Sequence, residues 1–173
     1  MGHEVFISHA ATDKAVADGI TNHLERGGVK CWVAPRDIRP GDTWGGSIVK
    51  AIESCSIMVI LFSGNSNRSQ QVLREVERAI QKNVVVLPFR IEEIEPTGDM
   101  EYFLSATHWL DAISGDLEYH YNHLLITTRS ILGRDESEIT STPISEPTKN
   151  EPLQQEPVVS AVSYTHLTLP TKA

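Results

Sequence analysis

The sequence has little cysteine, little positive charge and no long apolar run, and each shortage excludes a class of protein. Its two cysteines, Cys31 and Cys55, are too few for a disulfide scaffold and lack zinc-site spacing. The 15 basic residues against 23 acidic ones give a net charge of −8, which argues against direct nucleic-acid binding. No apolar run could span a membrane, and the start lacks a signal-peptide pattern. We therefore expect a cytoplasmic protein with no membrane partner.

The 173-residue chain changes composition at about residue 133. Apolar runs alternate with amphipathic stretches before that point, which predicts one folded domain over residues 1–133. Residues 134–162 are rich in Pro, Ser, Thr and Glu and cannot bury a core, so we predict an acidic disordered linker there. Residues 163–173 have no periodic partner, and we interpret them as an adapter-derived, non-native tail. An N-terminal domain on such a tether leads us to expect a further C-terminal sensor domain.

Within the domain, five apolar runs predict β-strands, at residues 4–8, 29–33, 56–62, 84–89 and 107–113. Several of them lack polar alternation, which is typical of parallel strands covered on both faces. The stretches between them predict helices over residues 13–26, 43–55, 66–82 and 116–132. Right-handed crossovers then favour an α/β fold, a flavodoxin-like open parallel sheet of order 2-1-3-4-5 with helices on both faces.

This topology predicts a ligand site beyond the carboxyl ends of the strands. Three segments should meet there, at residues 8–13, 34–43 and 63–69. The sequence contains neither the glycine-rich P-loop pattern nor the G-x-G-x-x-G turn that would indicate two common phosphate-binding folds. A phosphoreceiver domain is also disfavoured, because His9 and Ser63 stand where such a domain needs acidic residues.

Three motifs occur in order along the domain: FISHAATDK at residues 6–14, WVAPRDIRPGDTW at 32–44 and SNRSQQVLREVERA at 66–79. Together they resemble a Toll/interleukin receptor (TIR) domain of the bacterial type. The resemblance implies self-association. Many TIR domains cleave NAD+ at the bond between nicotinamide and ribose, others are non-catalytic adaptors, and bacterial members commonly serve antiphage defence.

The resemblance makes Glu75 the expected catalytic residue. Ser69, Val72 and Glu75 follow the family's helical pattern, although Gln71 stands where an aromatic residue is usual. A carboxylate can stabilise the oxocarbenium-like ribose that remains when nicotinamide leaves. NAD+ would then be the substrate, and no other cofactor is expected. The alternative is that Glu75 forms an ordinary ion pair with Arg78 on an exposed helix.

Further site residues follow from the same resemblance. Trp32 is expected to stack on the substrate, although a buried core aromatic is an equal alternative. The helix that begins after Ser63 could bind the diphosphate at its N-terminus, and the alternative is a simple capping turn. His9 could contact the substrate, and the alternative is a purely structural role. The predicted substrate contacts are Phe6, Ser8, His9, Trp32, Arg36, Ser63 and Ser69.

The loop after the second strand resembles the family's self-association loop, which borders the NAD+ pocket. The alternative is an ordinary loop with solvated charges. His120 and His123 are spaced to share a metal, but no third ligand is evident, so no metal is predicted. The predicted loop residues are Pro35, Arg36, Asp37, Ile38, Pro40, Gly41 and Trp44.

Two hypotheses follow. The first is an NAD+ nucleosidase, activated by self-association, that releases ADP-ribose or a cyclic ADP-ribose isomer. The second is a non-catalytic TIR interaction module, which the glutamine at position 71 favours. The sequence does not choose between hydrolysis and cyclisation, because both reactions begin with cleavage of the same bond.

Overall fold

The computed structural model describes residues 2–134. Five parallel strands form one sheet of order β2-β1-β3-β4-β5, as predicted. In register, Phe6 of the first strand lies beside Trp32 of the second and Met58 of the third. The strands are β1 (Val5–Ser8), β2 (Cys31–Val33), β3 (Ile57–Phe62), β4 (Val85–Arg90) and β5 (Leu110–Asp111).

The strands form where the sequence is apolar without alternation. All six residues of β3 are buried, and so are all four of β1, because helices cover both faces of the sheet. Each strand lies within about a residue or two of its predicted place, except β5. Only two residues of β5 pair with β4, although seven were predicted to be extended.

Within residues 2–134, five α-helices lie between strands and a sixth follows β5: α1 (Lys14–Arg26), α2 (Trp44–Ser54), α3 (Gly64–Asn67), α4 (Gln70–Gln81), α5 (Asp99–Leu104) and α6 (Leu117–Ile131). A short 3-10 helix (Ala11–Asp13) leads into α1. The single helix predicted over 66–82 is divided in two, because Ser69 adopts an extended backbone and its side chain caps α4. The short helix α5 was not predicted.

The helices pack in two layers around the sheet. One layer buries Ile20 and Leu24 of α1 with Leu124 of α6, and the other buries Ile52 of α2 with Val76 of α4. The apolar spacing of Trp44, Ile48 and Ile52 predicts one buried stripe on α2, but Trp44 is 49% exposed because it occupies the first position of that helix at the end of the preceding loop. Ile80 follows the apolar spacing of α4, which predicts an inward side chain, but it is 37% exposed.

The predicted linker and tail fall almost entirely outside the described residues. Arg134, the first residue of the predicted linker, still contacts the domain by donating a hydrogen bond to the Gly28 carbonyl oxygen at 3.0 Å. It also forms an ion pair with Glu4. The folded part therefore extends at least to this arginine.

Candidate active site

Glu75 lies on the buried face of α4. The side chains of Val72, Val76 and Ala79 form the apolar stripe of this helix, and Glu75 falls within the same stripe and is only 6% exposed. Helical spacing from Val72 predicts that this carboxylate lies at the border of the stripe, so the structure buries it more deeply than the spacing alone indicates. Arg78, the alternative ion-pair partner, instead contacts Glu53 of α2.

Two neutral side chains hold the Glu75 carboxylate. Ser8, at the end of β1, donates its hydroxyl proton to Oε2 at 2.6 Å. Gln71, one helical turn earlier, donates from Nε2 to Oε1 at 3.1 Å. Because each carboxylate oxygen accepts one hydrogen bond, the group is oriented, yet both oxygens keep lone pairs for a ligand.

Burial raises the pKa of the Glu75 carboxyl above its ordinary value. The hydrogen bonds from Ser8 and Gln71 lower this pKa in part, and so does nearby charge on His9. Desolvation is the larger effect, so the ionised form of Glu75 is less favourable here than in water. A displaced pKa in a cleft is a common property of catalytic carboxyl groups.

Glu75 lines a cavity of about 320 Å³ at the carboxyl end of the sheet. Its walls come from the end of β1, the beginning of α1, the loop after β2, and α4. The residues are Phe6, Ile7, His9, Ala11, Lys14, Ala34, Pro35, Trp44, Gln71 and Glu75. The three segments expected at this edge do contact one another, since His9 of the first meets Ala34 of the second and Asp13 of the first meets Ser63 of the third. Only the first two line the cavity, and α4 supplies the remaining wall.

Phe6 and Trp32 form a stacked pair behind this cavity. Their ring centroids lie 5.0 Å apart with an interplanar angle of 13°. Both rings are almost fully buried, but only Phe6 is among the residues that line the cavity. In this arrangement Trp32 packs behind Phe6 as a buried core aromatic, the alternative that the sequence also offered.

His9 joins the end of β1 to the loop after β2. Its Nδ1 lies 2.7 Å from the Ala10 carbonyl oxygen, and its Nε2 lies 3.2 Å from the Ala34 carbonyl oxygen. A carbonyl oxygen only accepts, so both contacts are hydrogen bonds at once only when both ring nitrogens carry a proton. His9 therefore combines a structural contact with a position on the cavity wall.

The loop from Pro35 to Trp44 contacts the Glu75 cavity on one side and α1 on the other. Pro35 and Trp44 line the Glu75 cavity, while Arg36 turns away from it. Arg36 donates to both carboxylate oxygens of Glu25 on α1, at 2.7 and 3.0 Å, and to Asp37. The predicted substrate contact Arg36 therefore lies outside the cavity, because two carboxylates hold its guanidinium against α1.

The same ion-pair cluster shapes the rest of the loop. Asp37 accepts a hydrogen bond from the Val33 backbone N–H at 2.9 Å, which fixes the turn at the end of β2. Gly41 has a positive φ of 91°, a conformation that residues with a Cβ rarely adopt. The loop is therefore held at its beginning and turns sharply near its middle.

Ser63 and Ser69 are helix caps in this structure. The Ser63 hydroxyl caps α3, donates to Asp13 at 2.5 Å and is fully buried. The Ser69 hydroxyl accepts from the Val72 backbone N–H at 3.3 Å. Neither residue lines the Glu75 cavity. Both hydroxyls therefore cap helices, as the alternative for Ser63 described, and their contacts with substrate stay predictions.

Sequence reasoning missed two polar side chains of the cavity. Gln71 was noted only for replacing an aromatic residue, although its spacing of four from Glu75 places both on one helix face. Lys14, which lines the cavity and pairs with Asp18, is the last residue of the first motif but was assigned no role there.

Within residues 2–134, no group of three or more His, Cys, Asp and Glu side chains is arranged to hold a metal ion. The same residues contain no helix that is long and apolar enough to cross a membrane.

The model of the TIR domain family matches residues 5–125, most of the chain. The chain belongs to the TIR domain family. It is 27% identical over 128 residues to the NAD(+) hydrolase PdTIR of Paracoccus denitrificans (strain Pd 1222), covering 66% of this chain. It is 29% identical over 97 residues, 55% of its length, to a probable 2' cyclic ADP-D-ribose synthase, BdTIR, of Brachypodium distachyon. The matches span 43% of each relative's length.

Solved TIR structures share the fold. The TIR domain of the Toll-related receptor TRR-2 from Hydra magnipapillata superposes with a TM-score of 0.63 at 24% identity, covering 75% of this chain and 98% of that one. A TIR-STING receptor from C. gigas superposes with a TM-score of 0.61 at 22% identity, covering 73% and 39%. These likenesses confirm the predicted flavodoxin-like architecture of this TIR domain.

Proposed function

We propose that this TIR domain is an NAD+ nucleosidase that cleaves the bond between nicotinamide and ribose. The observation that carries the proposal is Glu75, a buried carboxylate held by Ser8 and Gln71 at the wall of a ligand-sized cavity. The names of two relatives, an NAD(+) hydrolase and a probable 2' cyclic ADP-D-ribose synthase, support the same substrate.

The chemistry requires one negative group beside the ribose. When the carbon–nitrogen bond breaks, its electron pair goes to the pyridinium nitrogen, and nicotinamide leaves neutral without needing a proton. The ribose is left with positive charge shared between its anomeric carbon and ring oxygen, which the Glu75 carboxylate stabilises. Water then gives ADP-ribose, and a nucleophile within the same molecule gives a cyclic isomer.

The test is nicotinamide release from NAD+ at high protein concentration, with the products separated by chromatography. We expect Glu75→Ala to lower release by at least about a hundredfold, the usual effect of removing one preorganised electrostatic group. Glu77→Ala is the matched control, because Glu77 lies on the same helix but is exposed. Equal release by wild type and Glu75→Ala would overturn the assignment.

We also propose that self-association through the loop from Pro35 to Trp44 raises activity. Trp44 is half exposed and lines the cavity, so a second copy packed on this loop would contact the site directly. Asp37→Ala removes the hydrogen bond to Val33, and we expect it to weaken self-association and turnover together. Light scattering and nicotinamide release measure the two effects. A monomeric variant with full activity would contradict this link.

The adaptor hypothesis makes the opposite prediction for the same assays. Wild-type protein would then self-associate but release no nicotinamide even when artificially clustered.

A role in bacterial antiphage signalling is a further proposal. Phage challenge of bacteria that carry either wild type or Glu75→Ala tests it, with protection expected only from wild type.

A further inference from the structure

A second cavity adjoins the Glu75 cavity, between α2 and α4. It measures about 310 Å³ and shares three wall residues with the first cavity: Trp44, Gln71 and Glu75. Its α2 side is apolar and its α4 side carries two arginines. The remaining wall residues are Gly45, Ile48, Val49, Ile52, Arg74 and Arg78.

The two arginines give this second cavity a positive edge on a chain with a net charge of −8. Arg74 is exposed and has no hydrogen-bond or ion-pair partner among residues 2–134. Arg78 pairs with Glu53, but its Nε is enclosed and has no acceptor in the described part of the chain. A guanidinium group matches the oxygens of a phosphate in shape and charge.

The spacing along α4 relates these cations to the carboxylate. Gln71, Glu75 and Arg78 follow one another at intervals of four and three residues, so they share one side of the helix. Arg78 lies about 4.5 Å beyond Glu75 along the helix axis, since each residue rises about 1.5 Å. A diphosphate attached to a ribose at Glu75 would therefore reach the arginines without leaving the helix surface.

The sizes of the two cavities also favour one ligand that extends across both. Each cavity is at the lower end of the roughly 300–1,000 Å³ that small-molecule sites occupy, so neither alone suits a whole dinucleotide. We propose that the cavity between α2 and α4 binds the adenosine diphosphate half of the substrate, with phosphates at Arg74 and Arg78. The adenosine lies over Ile48, Val49 and Ile52, and the nicotinamide riboside half lies in the Glu75 cavity.

This inference rests on the proposed NAD+ substrate, but it is tested without turnover by using ADP as the probe. We expect ADP to shift the backbone amide NMR signals of Val49 and Arg74, and adenosine to bind more weakly because it lacks the phosphates. Arg74→Gln should weaken ADP binding about fivefold, the size of a partly exposed charge contact. Adding Arg78→Lys should weaken it further, since lysine lacks the planar fork.

Arg26→Gln is the matched control, because Arg26 is an exposed arginine at the end of α1 and lines neither cavity. It should leave ADP binding unchanged. The proposal is overturned if ADP does not bind at millimolar concentration, binds Arg74→Gln as tightly as wild type, or shifts only signals away from α2 and α4.

Kinetics separate a failure of this inference from a failure of the proposed function. If the protein cleaves NAD+, Arg74→Gln should raise KM for NAD+ and leave kcat nearly unchanged, because the contact is remote from the bond that breaks. An unchanged KM would overturn the placement of the diphosphate while leaving the role of Glu75 intact. Nicotinamide release that persists in Glu75→Ala would overturn the function, whatever the ADP titration shows.

Discussion

Two ionisable side chains near the carboxyl end of the sheet, Glu75 and Arg36, differ in both burial and hydrogen-bond partners. Glu75 is 6% exposed, and its hydrogen bonds come from the neutral side chains of Ser8 and Gln71. The side chain of Arg36 is 42% exposed and contacts two carboxylates, those of Glu25 and Asp37. Solvent stabilises the exposed charge on Arg36, whereas the Glu75 carboxyl group is largely shielded from solvent and forms no ion pair within residues 2–134.

The difference in burial and in hydrogen-bond partners indicates different roles for Glu75 and Arg36. The Arg36 cluster fastens the loop after β2 to α1, and it is an ordinary exposed ion-pair network of small energetic value. The Glu75 carboxyl group is oriented by neutral side chains and has no ion-pair partner in the described part of the chain, so in the proposed reaction its ionised form would face a positively charged transition state directly. Hydrogen bonds to the Glu25 and Asp37 carboxylates raise the pKa of Arg36, whereas burial raises that of Glu75.

The largest effect that sharpens this contrast is expected from Glu75→Asp. The variant keeps the charge but withdraws the carboxylate by one methylene group, so it no longer meets Ser8 and the ribose together. We expect nicotinamide release to fall about a hundredfold, because misplacement by about 1 Å can cost that much. Glu77→Asp on the exposed side of α4 is the control. Activity within a few fold of wild type would show that the carboxylate needs no fixed position.

A smaller effect is expected from Ser8→Ala, which removes the 2.6 Å hydrogen bond to Oε2. This bond lowers the pKa of Glu75, so its loss raises that pKa further. In the proposed reaction the ionised form of Glu75 is the active one, so the decline of nicotinamide release on the acid side should begin at higher pH in the variant. A pH profile of kcat/KM measures the shift. A profile that coincides with that of wild type would contradict the role given to Ser8.

The smallest effect is expected from Arg36→Gln. Its contacts to Glu25 and Asp37 are exposed, so the free energy of unfolding should fall by less than about 1 kcal/mol. Screening should make the difference between variant and wild type vanish at about 1 M salt. Urea denaturation at low and high salt provides the measurement. A loss above about 2 kcal/mol, or one independent of salt, would remove the contrast between the two groups.

Much of the fold could be predicted because the strands are apolar over their whole length. The run SIMVILF predicts a strand covered on both faces, and β3 is buried at each of its six residues. The end of the sheet was harder, because β5 pairs over only two residues and leaves little pattern in the sequence. The division between α3 and α4 depends on the backbone of Ser69, which composition does not reveal.

The site was predicted less completely than the fold. The position of Glu75 followed from the family motif, but its burial depends on how α4 rotates against β1. Arg36 was predicted to contact substrate, but in the structure its guanidinium donates hydrogen bonds to Glu25 on α1, a pairing that the sequence did not indicate. Trp32 and Phe6 neighbour each other across two strands, so which ring faces the cavity depends on three-dimensional packing.

The most direct test of the central claim compares wild type with Glu75→Gln in two assays, nicotinamide release and unfolding in urea as a function of pH. Burial raises the pKa of Glu75 above its value in the unfolded chain, so the folded protein is penalised for ionising it. That penalty is present at neutral pH and disappears as pH falls below the unfolded pKa. Glutamine has no such penalty and nearly the same shape.

We therefore predict that Glu75→Gln loses nicotinamide release yet is more stable than wild type at pH 7, by about 1 kcal/mol, within the range of single stabilising changes. The gain should shrink as the pH is lowered toward 4. A variant that is less stable than wild type at pH 7, or that still releases nicotinamide, would contradict the account of Glu75 as a buried carboxylate retained for catalysis.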